Sequence, residues 1–171
     1  MMKMDMKKWR PREAGTGKPP STVFPQFEVA DQDVKARLAK LEAYDTEFLE
    51  KKLLHDGTFS TKQESAQAMR EFKRFIALHV MHEKAFGMIN PKVDAIWHAF
   101  ILYTREYSQF CEATMGSYLH HVPCGPTDGG DQDALERDCE AFRSAYRDAF
   151  GEIPQMIEAC CSGNCSSAST P

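Results

Sequence analysis

From Asp31 to Phe150 the apolar residues of this chain recur at steps of three and four, and no stretch of useful length alternates at a step of two. Strands bury every second residue and helices bury one face per 3.6 residues, so this spacing restricts the chain to helices. Val34, Leu38, Leu41, Tyr44 and Phe48 form the first stripe, with Leu53 and Leu54 behind it. It reads as one helix or two, because Asp45 in AYDTEF offers a second N-cap. His55, Asp56 and Gly57 end it. TKQE at residues 61–64 is a capping box that opens a helix carrying Met69, Phe72, Ile76, His79 and Val80 inward, with Gly87 suited to its C-terminus. Asn90 and Pro91 open the next helix as cap and first-turn proline, and its pattern runs toward Gly116. Leu135, Cys139, Phe142, Tyr146 and Phe150 line the last, stopped by Gly151 and Pro154. The expected fold is all-α, a single bundle of about five helices.

The chain has 171 residues, enough for one domain with a real core, and its 42 % apolar and 27 % charged residues are those of a globular protein. Residues 1–28 mix Lys, Arg, Gly and Pro without periodicity and read as a flexible arm; residues 29–157 read as the helical domain, and 158–171 as a flexible Cys/Ser-rich tail. A net charge of −4 and a pI near 5.9 argue against nucleic acid as the partner. No apolar run approaches the roughly 18–20 residues of a membrane span. The basic N-terminal residues lack the apolar stretch of a secretory signal, which leaves the cytoplasm as the expected compartment and a protein or small ligand as the expected partner.

One segment, VDAIWHAFILYTREYSQFCEATMGSYLHHVPC at 93–124, concentrates the side chains that bind transition metals. Asp94 and His98 are four residues apart and share a helix face. That spacing suits either two ligands or a carboxylate that orients a histidine. Cys111 lies thirteen residues beyond His98, roughly 220° around an unbroken helix. A site common to both therefore requires a break near Tyr103 to Arg105; without one, Cys111 is a small buried hydrophobe. His120, His121 and Cys124 follow a glycine, outside the strong helical pattern, where a loop can swing them toward a helix face. Mixed His, Cys and carboxylate donors suit zinc or another transition metal. The expected metal set is Asp94, His98, Cys111, His120 and His121, with Trp97 and Tyr107 walling a ligand pocket.

Other motifs carry less. HVMHEKAFG misses the H-E-x-x-H pattern because Phe86 stands where the second histidine belongs, and His79 and His82 are expected in hydrogen-bonded, partly buried positions. The sequence holds no G-x-S-x-G and no phosphate-binding glycine loop. Cys160, Cys161 and Cys165 in the tail form a second thiol group, suited to a soft metal or to thiol exchange. Cys139 falls within a core stripe and reads as packing.

VDAIWH, Tyr107, Phe110–Cys111, Gly116 and LHHVP together resemble the glycine-rich domain-containing protein-like family, as a small bacterial-type member lacking the glycine-rich domain. The resemblance runs through FRSAYRDAFGEIP and covers most of residues 30–157. It implies a compact helical domain and marks Asp94, Trp97, His98, Tyr107, Cys111, Gly116 and His120 or His121 as signature positions. It implies no established chemistry. Many members carry a second histidine where this chain has Phe100. The function expected is a metal- or small-ligand-binding helical protein with an accessory thiol tail. The alternative is an interaction module in which Trp97 and His98 belong to a structural polar network. Catalysis through a metal-activated water requires an open coordination position, which the sequence leaves undefined.

Overall fold

The computed structural model describes Phe24, residues 31–82, Phe86, residues 90–121 and residues 132–151, the last with side chains from residue 137. Six helices and no strand occur among these residues: α1 (Gln32–Ala43), α2 (Glu47–His55), α3 (Lys62–His82), α4 (Pro91–Ile101), α5 (Thr104–Met115) and α6 (Gln132–Phe150). The all-α expectation holds, and the count reaches six because both ambiguous stripes are broken helices.

The first break falls at residues 44–46. Asp45, the expected N-cap, accepts the Glu47 N–H at Oδ1 (2.9 Å), but the N-cap itself falls one residue later, at Thr46. Lys73 Nζ, reaching across from α3, donates to the carbonyls of Glu42 at 3.0 Å and Tyr44 at 2.9 Å. These are carbonyls that the end of a helix leaves unsatisfied. The second break falls at Leu102 and Tyr103. There the Tyr103 N–H turns back to Phe100 O at 2.9 Å, and Tyr103 O accepts the Tyr107 N–H at 2.8 Å to begin α5. The capping box also forms, since the Glu64 N–H donates to Thr61 Oγ1 at 3.1 Å. The Glu64 carboxylate returns one residue further than the usual pattern, to the Ser60 N–H at 2.9 Å.

α3 is the spine, packed against all five other helices, while α5 also lies on α1 and α4. Phe100 of α4 sits fully buried at the centre. The rings of Tyr107 at 5.2 Å, Phe110 at 5.1 Å, Phe48 at 5.8 Å and Phe72 at 6.2 Å surround it. A histidine here would place a polar ring among aromatics, a cost that Phe100 avoids.

α6 is held to α3 by a buried charged network that the apolar periodicity conceals. Tyr146 Oη donates to Glu71 Oε2 at 2.6 Å and accepts from Arg74 Nη1 at 2.7 Å. The Arg74 guanidinium also lies 4.8 Å from the centre of the Phe150 ring, within cation–π range. Burial and the neighbouring Glu71 push the Tyr146 phenol above its ordinary range. The signal in the sequence was the pair Glu71 and Arg74, three residues apart on a helix at ion-pair spacing.

Candidate metal centre

The start of α4 sets the orientation of the site. Asn90 Oδ1 accepts the N–H groups of Lys92 at 3.0 Å and Val93 at 3.3 Å, and Pro91 fills the first turn. From that fixed start the helical period turns Val93, Ile96, Trp97 and Phe100 inward. Asp94 is left half-buried and His98 exposed. Trp97 and His98, adjacent in sequence, therefore do different things: the indole is 5 % exposed, whereas the imidazole is 59 % exposed.

The Trp97 side of the helix holds the incoming histidine in place. Trp97 Nε1 donates to Tyr107 Oη at 2.8 Å, and Tyr107 Oη donates in turn to the Leu119 carbonyl at 2.6 Å. Both side chains are buried, so each hydrogen bond satisfies a group that has no water. Burial drives the Tyr107 phenol far above its ordinary pKa, so it remains a donor across the working pH range. Gly116 sets the chain's direction out of α5. It has φ +75°, its N–H bonds to Cys111 O and Glu112 O at 3.1 Å, and Met115 O accepts from Arg37 Nη1 at 2.6 Å. A Cβ at Gly116 would lie 3.3 Å from the Arg37 guanidinium, so both the backbone conformation and the space favour glycine.

Two residues past the pinned Leu119, the His121 ring packs edge-on to Trp97 at 4.5 Å and against His98 at 4.4 Å. Its Nε2 lies 2.9 Å from Asp94 Oδ1 and 3.0 Å from His98 Nε2. The remaining pair, His98 Nε2 and Asp94 Oδ2, is 3.7 Å apart. Donor atoms about 2.0–2.1 Å from zinc at tetrahedral angles stand roughly 3.3–3.4 Å from one another, so these spacings are of metal-site size. Asp94, His98 and His121 form one group of potential ligands among the described residues.

The other expected ligands are not brought to this group. The helix breaks where a site including Cys111 requires, but α5 then turns the thiol into the core, fully buried. Its neighbours there are Tyr107 and the Leu119 backbone, and burial raises its pKa, which keeps it a neutral thiol. His120 points away, exposed, with its ring 4.8 Å from that of Tyr118. Tyr107 supports the site from beneath through its hydroxyl, as Trp97 does through its indole. Cys124, Cys160, Cys161 and Cys165 lie outside the described residues. Gly87 does too.

The histidines of α3 are separate from this cluster. His79 Nδ1 pairs with Phe75 O at 2.9 Å, and His79 Nε2 accepts the Phe86 N–H at 3.1 Å. Acting as donor at one nitrogen and acceptor at the other defines a neutral ring. Burial lowers its pKa accordingly. His82 is exposed and touches the edge of Phe86. Cys139 is buried, as its stripe position implied.

No helix among the described residues is long and apolar enough to cross a membrane. No curated protein and no solved structure matches the chain. Residues 35–149 match the family model described as UCP032817-like, a description that names neither a glycine-rich domain nor an activity. The match begins within α1 and runs through α6, including every residue of the Asp94–His98–His121 cluster and of the Trp97–Tyr107 support. The chain belongs to the UCP032817-like family.

Proposed function

We propose that this protein binds a divalent transition metal, with zinc as the first choice, through Asp94, His98 and His121. The observation that carries the reading is the position of His121 Nε2, 2.9 Å from a carboxylate oxygen and 3.0 Å from a second imidazole nitrogen. A proton on that nitrogen bonds fully to only one of the two neighbours and leaves the other close contact without a hydrogen of its own. Without the proton, its lone pair faces the carboxylate. A cation between the three atoms takes an electron pair from each, and two imidazoles with one carboxylate suit zinc or iron(II).

The competing reading, a structural polar network of Asp94, the imidazoles and Trp97, requires a buried His98, whereas His98 is 59 % exposed and meets only His121 at 3.0 Å and Asp94 at 3.7 Å. In our reading the protein works in the cytoplasm, and its partner is a small ligand of the metal. Kinship with the glycine-rich domain-containing protein-like family is a further proposal, supported by the VDAIWH and LHHVP motifs. The thiols Cys160, Cys161 and Cys165 would serve as an accessory site.

Equilibrium dialysis against zinc tests the reading on the full chain, a His98→Ala variant and a variant with Ser at Cys160, Cys161 and Cys165. The expected result is one zinc per chain, lost with His98 and retained without the tail thiols. Zinc lost only with the tail thiols would move the site out of the helical core.

A further inference from the structure

The spacing of the three donors also decides how the remaining positions of a bound ion lie. Donors about 2.1 Å from an ion stand about 3.0 Å apart at neighbouring corners of an octahedron and about 4.2 Å apart across it. His121 Nε2 lies 2.9 Å from Asp94 Oδ1 and 3.0 Å from His98 Nε2, and Asp94 Oδ2 comes within 3.7 Å of His98 Nε2. Two of these contacts match neighbouring corners, and the third falls short of the distance across the ion. The three residues therefore cap one face, and the positions left open adjoin one another.

Burial sets which way those positions look. His121 is 13 % exposed, with its ring against Trp97 at 4.5 Å, so the core fills its side of the ion. Asp94 at 33 % and His98 at 59 % stand one helical turn apart on the outer face of α4. The open positions thus meet solvent, where a ligand can enter and leave. One carboxylate and two neutral imidazoles leave a divalent ion one positive charge, which favours an anion there over water.

We infer that the metal takes a small anion through two adjacent oxygens, the chelating group of 2-hydroxy and 2-oxo carboxylates. This rests on the metal reading above. The anion replaces two water molecules with a carboxylate oxygen and a neutral hydroxyl or keto oxygen, closing a five-membered ring on the ion. No proton leaves and no electron is transferred. Once the carboxylate is bound the second oxygen binds intramolecularly, so it adds affinity at little further entropic cost.

The test uses full-length protein loaded with cobalt(II), whose visible absorption bands report coordination. It is titrated with lactate and with propionate, acids matched but for the 2-hydroxyl. Both are expected to shift the bands, lactate binding about tenfold more tightly. One cobalt per chain is expected to remain after gel filtration in lactate. Equal affinity for the two acids would overturn the chelate and leave the metal site standing. Bands that neither acid moves, or cobalt stripped off by lactate, would do the same. An unchanged lactate response in a His98→Ala variant would place the ion elsewhere and overturn the inference together with the site. A protein that takes up no cobalt would overturn the metal reading itself, and this inference with it.

Discussion

The indole N–H of Trp97 bonds to the phenolic oxygen of Tyr107 at 2.8 Å, and through it the core of α4 controls where His121 stands. Replacing Tyr107 with Phe keeps the ring and deletes both hydrogen bonds, leaving a buried indole donor unsatisfied. The expected cost is about 1–3 kcal/mol in chemical denaturation. Zinc affinity is expected to fall about 10–100-fold, the range for lost supporting hydrogen bonds at metal sites. Loss of stability with unchanged zinc affinity would confine this pair to a packing role.

A bound metal stabilises the folded state by mass action. Zinc at about 100 times its dissociation constant is expected to add about 2.7 kcal/mol, read as a rise in thermal midpoint. His121→Ala is expected to abolish the rise. The same rise in that variant would place the zinc elsewhere.

The α3–α6 network predicts an asymmetry. Arg74→Ala removes the buried cation beside Glu71, leaving only the more exposed Arg70 at 3.6 Å, and is expected to cost about 3 kcal/mol. Replacing Glu71 and Arg74 together with Met leaves no buried charge and is expected to cost less than Arg74→Ala alone. A double variant less stable than the single would show that the ion pair itself, not the avoidance of an orphaned charge, supports α6.

His79 gives the protein an acid limit. Its folded-state pKa lies below the ordinary 6.5, so the unfolded chain takes up the proton first. Stability from this residue is complete above pH ~6.5 and falls as the pH drops from there toward the lowered native value. The slope reaches at most about 1.4 kcal/mol per pH unit. In NMR titration the His79 ring is expected to stay neutral in the folded protein through pH ~6.5. A ring that protonates at or above that pH would contradict the burial argument.

Helix type and caps were legible because they are local. Asn90 and Pro91 cap as their identities imply, and the Thr61–Glu64 box forms to within one residue. Asp94 and His98 were legible as a pair for the same reason, four residues on one helix. Cys111 and His120 could not be sorted from His121 in the same way. The break at Leu102 was needed to decide whether Cys111 meets His98, but its direction depends on Phe100, Tyr107 and Phe110 packing together, a tertiary effect. Which of two adjacent loop histidines turns inward depends on the Tyr107–Leu119 hydrogen bond, between residues twelve positions apart. The Glu71–Arg74–Tyr146 network was hidden because a tyrosine in an apolar stripe reads as a hydrophobe until its hydroxyl partner is known.

Elemental analysis of the full-length protein, purified without chelator beside a His98→Ala variant, tests the central claim most directly. His98 is 59 % exposed, so its removal leaves the core intact and any change reports on the site. Our account predicts one transition-metal ion per chain in the parent and none in the variant. Equal metal content in both, or none in the parent after incubation with zinc, would contradict it.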